Sequence, residues 1–92
     1  MDLENYEIPH DRTVTRIKVA EPKVPEDAER ICKYMETGDI LIVDMSCFTG
    51  TPDERQTMSE ILHTKARFEN YSMVSSGQMY IITPSDISVK KI

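Results

Sequence analysis

The chain has 92 residues, 39% of them hydrophobic, with a formal net charge of −5 at pH 7. That length makes one domain with a modest core, burying about 60–70% of the surface its unfolded form exposes, so pairing of subunits adds useful burial. The acidic balance excludes non-specific nucleic-acid binding, which needs a basic footprint, and excludes electrostatic adhesion of this domain to anionic lipid.

No apolar run approaches the roughly 18–20 residues needed to span a membrane. The acidic opening Met1-Asp2-Leu3-Glu4-Asn5-Tyr6-Glu7 lacks the basic-then-apolar order of a signal peptide. Cys32 and Cys47 have no Cys-x-x-Cys spacing and no nearby His pair, so both read as reduced thiols of a cytoplasmic protein.

Residues 1–12 are polar and acidic, with Pro9 among them, and read as a flexible arm or linker stub ahead of a domain over 13–92. The first strand is expected over 14–20, with Ile17 and Val19 facing the core, and it stops at Pro22. A helix is expected to start near Pro25, since proline suits the first helical position, and Glu26 and Asp27 suit the positive end of the helix dipole. Ala28, Ile31, Cys32 and Met35 recur at helical spacing, and Gly38 is the expected C′ stop.

Ile40-Leu41-Ile42-Val43 is apolar without alternation, the pattern of a central strand covered on both faces. One helix layer covers one face; the other then needs a second sheet or a second subunit. Thr51-Pro52-Asp53-Glu54 is a capping box with proline at the first position. Met58, Ile61, Leu62, Lys65 (through its stem) and Phe68 trace the expected buried stripe. Strands over 71–75 and 78–82 flank Ser76-Gly77 as a hairpin, with Gly77 at positive φ, and the second strand runs into Thr83-Pro84. A last strand is expected over 87–91, with Ile87 and Val89 inward. The expected architecture is α/β: a two-layer sandwich in βαβαβββ order, with two helices on one face of a five-stranded mixed sheet.

Residues that carry chemistry are scattered. Asp44 stands at the C-terminal end of the central strand, where α/β sites often lie, but without a His, Lys or ligand partner it reads as a strand-end carboxylate. His10 and His63 are isolated, and Cys47 beside Phe48 reads as a small hydrophobe. Ser75-Ser76-Gly77 lacks the glycine run and lysine of a phosphate loop. No catalytic set, metal set or cofactor motif emerges, and an enzyme working through Asp44, Cys47 or His63 ranks below a binding protein. Met35, Met45, Met58 and Met79 fall at core or border positions. Met73, with Tyr71 and Val74, suits an exposed patch that adapts to a peptide.

Several segments, in this order and spacing, resemble the core domain of the SepF cell-division family. They are Val19-Ala20-Glu21-Pro22, then Glu26-Asp27-Ala28 opening a helix, then Asp39-Ile40-Leu41-Ile42-Val43-Asp44-Met45. Tyr80-Ile81-Ile82-Thr83-Pro84 followed by Ile87-Ser88-Val89 completes the likeness, which spans about residues 14–91. The resemblance implies a non-enzymatic adaptor without cofactor. It implies a homodimer that binds the C-terminal tail of the tubulin-like protein FtsZ and tethers it at the division site, on the inner face of the membrane.

The family usually carries an N-terminal amphipathic helix that enters the membrane. Residues 1–12 have no such character, so the expectation is a truncated core or a form without the anchor, with membrane contact only through a helix absent from this chain. Bacterial members have glycines after the second helix, tied to higher assembly; Glu69-Asn70-Tyr71 stands here instead, which resembles the archaeal branch and implies a dimer rather than rings. The terminal extension helix of some members is also missing. The resemblance points to Phe68, Tyr71, Met73, Met79 and Tyr80 as tail-binding residues. The alternative is a STAS-type regulatory domain, which Ile42-Val43-Asp44-Met45-Ser46 resembles. Against it, Thr51 precedes Pro52 where a phospho-acceptor serine would head the helix, and the chain ends in strands rather than strand–helix alternation.

Overall fold

Seven elements follow one another in the computed structural model, which describes residues 2–9 and 14–85. They are β1 (Asp2–Pro9), β2 (Val14–Glu21), α1 (Asp27–Tyr34), β3 (Ile40–Asp44), α2 (Pro52–Phe68), β4 (Tyr71–Ser76) and β5 (Met79–Pro84). The strands form one mixed sheet in the order β1-β2-β3-β5-β4. Only β2 and β3 run parallel, joined by the crossover through α1; the other neighbours are antiparallel. Both helices pack on one face, so the chain is an α/β two-layer sandwich with two helices and a five-stranded mixed sheet, as expected.

The N-terminal segment departs from its reading as a flexible arm. Asp2–Pro9 is an edge strand paired along its length with β2, from Asp2 opposite Glu21 to Pro9 opposite Val14. Polar composition misleads here because an edge strand with charged residues is how sheets keep their edges from pairing with other chains. Pro9 sits at the strand's end, where a missing ladder donor is tolerated, and Leu3 packs against the core. The fifth strand is therefore β1. The strand expected over 87–91 lies outside the described residues.

Strand parity also differs. The register sets Lys18 beside Leu41 and Ala20 beside Val43, and these four share the helix-facing side. Leu41, Val43 and Ala20 are fully buried there. Ile17 and Val19, expected inward, lie on the opposite face beside Ile40 and Ile42. Ile17 and Val19 are the more apolar parity of β2, and alternation within one strand does not say which apolar face meets the helices. Lys18 fits the helix side because its ammonium lies over the Tyr34 ring, 4.6 Å from the centroid, and meets Asp39 Oδ2 at 3.1 Å.

The core is one cluster: Ala20, Leu41, Val43 and Ile82 from the sheet, Ala28, Ile31 and Met35 from the α1 region, Met45 and Phe48 from the following loop, and Met58, Leu62 and Ala66 from α2. Of the expected α2 stripe, Met58 and Leu62 are in it, Lys65 is half-buried beside it, and two residues are exposed. Ile61 is 43% exposed and Phe68 82% exposed, because the buried seam runs through Met58, Leu62 and Ala66 instead. Met35, Met45 and Met58 are buried, whereas Met79 is exposed.

The caps explain the element ends. Thr51 Oγ1 accepts from Glu54 N at 3.2 Å and Glu54 Oε1 accepts from Thr51 N at 2.9 Å, the expected capping box. Helix α2 stops where Asn70 takes a left-handed φ of 61°, a conformation Asn adopts more readily than most residues. Helix α1 begins at Asp27, two residues after Pro25, and its C-cap is Met35, so Gly38 (φ 79°) closes the turn beyond the C′ position rather than occupying it. The Asp27 carboxylate accepts from the N–H groups of Lys23 (3.0 Å) and Val24 (3.4 Å), which ties the β2–α1 loop to the helix start.

Candidate protein-interaction surfaces

The usual position for chemistry in an open α/β sheet is the C-terminal end of the central strand. Here that end is filled by its own loop. Met45 N donates to Gln78 O at 2.8 Å, Thr49 binds the Lys23 carbonyl through both N–H and hydroxyl, and Arg55 reaches the carbonyls of Met45 and Phe48 at 3.4 Å each. The Arg55 guanidinium also lies 5.6 Å from the Phe48 ring centroid. Asp44 Oδ1 accepts from Ser46 N at 3.0 Å, and this bond holds the carboxyl below its ordinary pKa. A carboxylate occupied in a turn and fixed as the anion is poorly suited to proton transfer near neutral pH.

His63 is exposed on α2, on the helix's outer side. Cys47 is exposed and Cys32 half-buried; both are free thiols, and burial pushes the Cys32 thiol upward, away from the reactive thiolate. Among the described residues no group of three or more His, Cys, Asp or Glu could hold a metal ion. Nor is any helix among them long and apolar enough to cross a membrane.

The informative surfaces are flat or grooved. The first is the open face of the sheet. Strand register places Ile17, Val19, Ile40, Ile42, Val74 and Ile81 together on it, all half-buried. Among the described residues no helix or strand lies over this face. Sequence reading anticipated an uncovered back to β3 but not its extent, since it assigned Ile17 and Val19 to the other side.

The second surface is a groove of about 550 Å³ between α1 and α2, lined by Cys32, Thr57, Glu60, Ile61, Thr64, Lys65 and Phe68. Lys65 bridges the helices: Nζ lies 3.1 Å from Glu69 Oε1 and 3.5 Å from Glu36 Oε1. The Glu69 hydrogen bond leads in holding this ammonium above its ordinary pKa, with Glu36 adding to it. A smaller pocket of about 310 Å³ opens at the helix C-termini, lined by residues including Met35, Asn70, Tyr71 and Pro84.

The five residues expected to bind a partner fall in three places. Tyr71, Met73 and Tyr80 share the helix-facing side of the β4–β5 hairpin and pack against the core. Met79, opposite Asp44 and Ser76, lies on the open face. Phe68 stands in the groove between the helices. Ile61 was missed as a surface residue. Its signal was the set Thr57, Ile61, Thr64 and Phe68, spaced 4-3-4 and offset by one position from the buried seam.

No family model matches the chain, and no curated protein sequence matches it. Among solved structures, it superimposes on a SepF-like protein from Pyrococcus furiosus with a TM-score of 0.69, at 23% sequence identity, over 88% of this chain and 100% of that one. The fold is that of a SepF-like protein. The likeness runs through the whole of the neighbour.

Proposed function

We propose that this chain is a SepF-type cell-division adaptor: a non-enzymatic, cytoplasmic homodimer that binds the C-terminal tail of FtsZ. It tethers that tail at the division site where an N-terminal amphipathic helix supplies membrane contact. The shared SepF-like fold over 88% of the chain carries this reading. The open apolar face supports the dimer, because six half-buried aliphatic residues on one sheet face are what a second copy would cover. The loop-filled end of β3 favours a binding protein over an enzyme. The antiparallel β4–β5 hairpin that follows α2 favours this reading over a STAS-type regulator, whose strands and helices alternate.

In this proposal Tyr71, Met73 and Tyr80 form the seat of the tail, beside the pocket at the helix ends, and a dimer presents two such seats. A filament carrying many tails then multiplies a weak single contact through effective concentration. Titration of an FtsZ C-terminal peptide into the purified chain, followed by fluorescence anisotropy, tests it. Saturable binding that weakens in Tyr80→Ala is expected. Absence of binding at high-micromolar peptide, with the circular dichroism of a folded domain, would sink the proposal.

A further inference from the structure

The two edges of the sheet are protected differently. At one edge, β1 carries Asp2, Glu4 and Glu7 and ends on Pro9, the charges and proline that discourage a further strand. At the other, β4 reads Tyr71-Ser72-Met73-Val74-Ser75-Ser76, with no charge, no proline and no bulge in its pairing with β5. The hairpin fixes which backbone groups β4 offers. Its two-residue loop, Gly77 and Gln78, closes on Ser76 opposite Met79. Such a pair exchanges both hydrogen bonds, and alternation then assigns Val74 and Ser72 to bonding with β5. Asn70 O, in the same phase, accepts from Ser85 N at 3.1 Å. The N–H and C=O groups of Met73 and Ser75 therefore turn away from β5, toward the outer edge.

The helix above this edge has its charges segregated. Met58, Leu62 and Ala66 of α2 face the sheet, and Thr57, Ile61, Thr64 and Phe68 turn toward α1. At about 100° per residue, the flank away from α1 carries Arg55, Ser59 and His63, with Gln56 and Arg67 at its outer margin. Helix α2 packs on β4, so this flank overhangs the β4 edge. The carboxylates of α2 and its C-cap lie elsewhere. Glu54 is in the capping box, Glu60 lines the groove toward α1, Asp53 stands one heptad before Glu60, and Glu69 binds Lys65. A chain of net charge −5 thus leaves this flank of α2 without a carboxylate, and Arg67 and His63 are exposed on it.

We propose that the tail peptide docks by adding a strand to the outer edge of β4, with acidic side chains at its helix-facing positions. The proposal rests on the reading above for the peptide's identity and adds its conformation and its charge. The peptide backbone pairs with Met73 and Ser75, which supplies affinity without regard to sequence. Side chains on one face of the added strand lie under the α2 flank, beside Met73, where Arg67 and His63 attract carboxylates. Those on the other face continue the open face of the sheet beside Val74, where apolar residues fit. An extended peptide with acidic and apolar residues in alternation is the ligand this edge selects.

Fluorescence anisotropy with a labelled FtsZ C-terminal peptide tests this. Ser75→Pro removes an N–H that faces the outer edge, where sheets accept proline, so the fold should persist while affinity falls at least about tenfold. Ser75→Ala should bind within about twofold of wild type. Arg67→Glu should weaken binding about tenfold and should prefer a peptide whose acids are changed to lysine. On the wild-type chain, N-methylation along the peptide should reduce binding at alternate positions, and exchange of the Met73 and Ser75 amides should slow when peptide binds. Ser75→Pro binding as tightly as wild type, or N-methylation tolerated at every position, overturns strand addition and leaves tail binding standing. The N-methylation scan decides the matter even where Ser75→Pro does not fold. Unchanged binding in Arg67→Glu overturns the acidic assignment. A wild-type chain that binds no peptide overturns both this inference and the tail-binding reading.

Discussion

Replacing Ile42 by glutamate should leave the monomer folded and abolish pairing through the open face of the sheet. Ile42 stands at the middle of β3 on that face, with Val19 beside it on β2 and Ile81 beside it on β5. In the monomer Ile42 is half-buried, so a carboxylate there keeps part of its contact with water and costs about the strand-preference difference, roughly 1 kcal/mol. In a dimer that covers the face, the carboxylate is buried without a partner, which costs about 3–5 kcal/mol. Two-fold symmetry places it twice, for about 6–10 kcal/mol in all. At about 1.4 kcal/mol per decade, the dissociation constant rises by at least about 10⁴-fold. Ile42→Val removes one methylene per copy, about 0.5–1.5 kcal/mol each, and should weaken pairing about five- to a hundredfold. Sedimentation equilibrium reads the association and thermal melts followed by circular dichroism read the monomer. A glutamate variant with the wild-type mass distribution refutes the covered face. A variant that no longer folds refutes the claim that a charge is tolerated at Ile42 in the monomer.

Three further outcomes concern stability. Thr51→Ala removes the Oγ1 acceptor of the capping box and should lower unfolding free energy by about 1 kcal/mol in urea titrations, with α2 fraying first by hydrogen exchange. Gly50→Ala places a Cβ against the Phe48 ring and 3.1 Å from Glu54 Cβ; because Phe48 is buried, the ring must shift, and a loss of about 1–3 kcal/mol is expected. Asp27 gives a pH dependence. Burial raises its carboxyl, but the Lys23 and Val24 N–H bonds, with the N-terminal and Arg30 charges, outweigh burial and hold it below the ordinary value. A depressed folded-state pKa contributes stability that is present above the unfolded-state pKa and lost as pH falls through the folded one. The urea midpoint should therefore fall on acidification below about pH 4, and Asp27→Asn should flatten that limb.

What could be read from the sequence was whatever local chemistry alone decides. The capping box at Thr51 and Glu54 needs four residues and no tertiary context, and it forms as expected. The positive φ of Gly77 and the α/β order from α1 onward are of the same kind. What could not be read depends on partners distant in sequence. Ile17 and Val19 belong to the open face only because the register with β3 puts Lys18 and Ala20 under the helices. Leu3 and its neighbours are a strand only because β2 offers an edge, so composition alone made them an arm. Phe68 and Ile61 carry the period of a buried stripe, but α2 has two seams one position apart and the sheet lies under one of them. The residues expected to bind a partner were chosen by character rather than position, which is why they divide between the hairpin, the open face and the helix groove.

Apolar surface in this domain is turned outward as well as inward. A domain of this size has little interior to spare, and the described core is a single cluster shared by both helices and the sheet. Its one conventional site for chemistry, the end of β3, is closed by the loop contacts of Thr49, Arg55 and Met45. Apolar residues instead face outward in two sets, one on each layer of the sandwich. Leaving Ile40, Ile42 and Ile81 only half-buried on one layer, and Ile61 and Phe68 exposed on the other, forgoes burial that a small domain needs. Such surface is stabilising only when something covers it. The two sets point in opposite directions, so covering one cannot cover the other. Ile42→Glu on the sheet should therefore remove pairing through that face while leaving the helix layer, and the folded spectrum, unchanged.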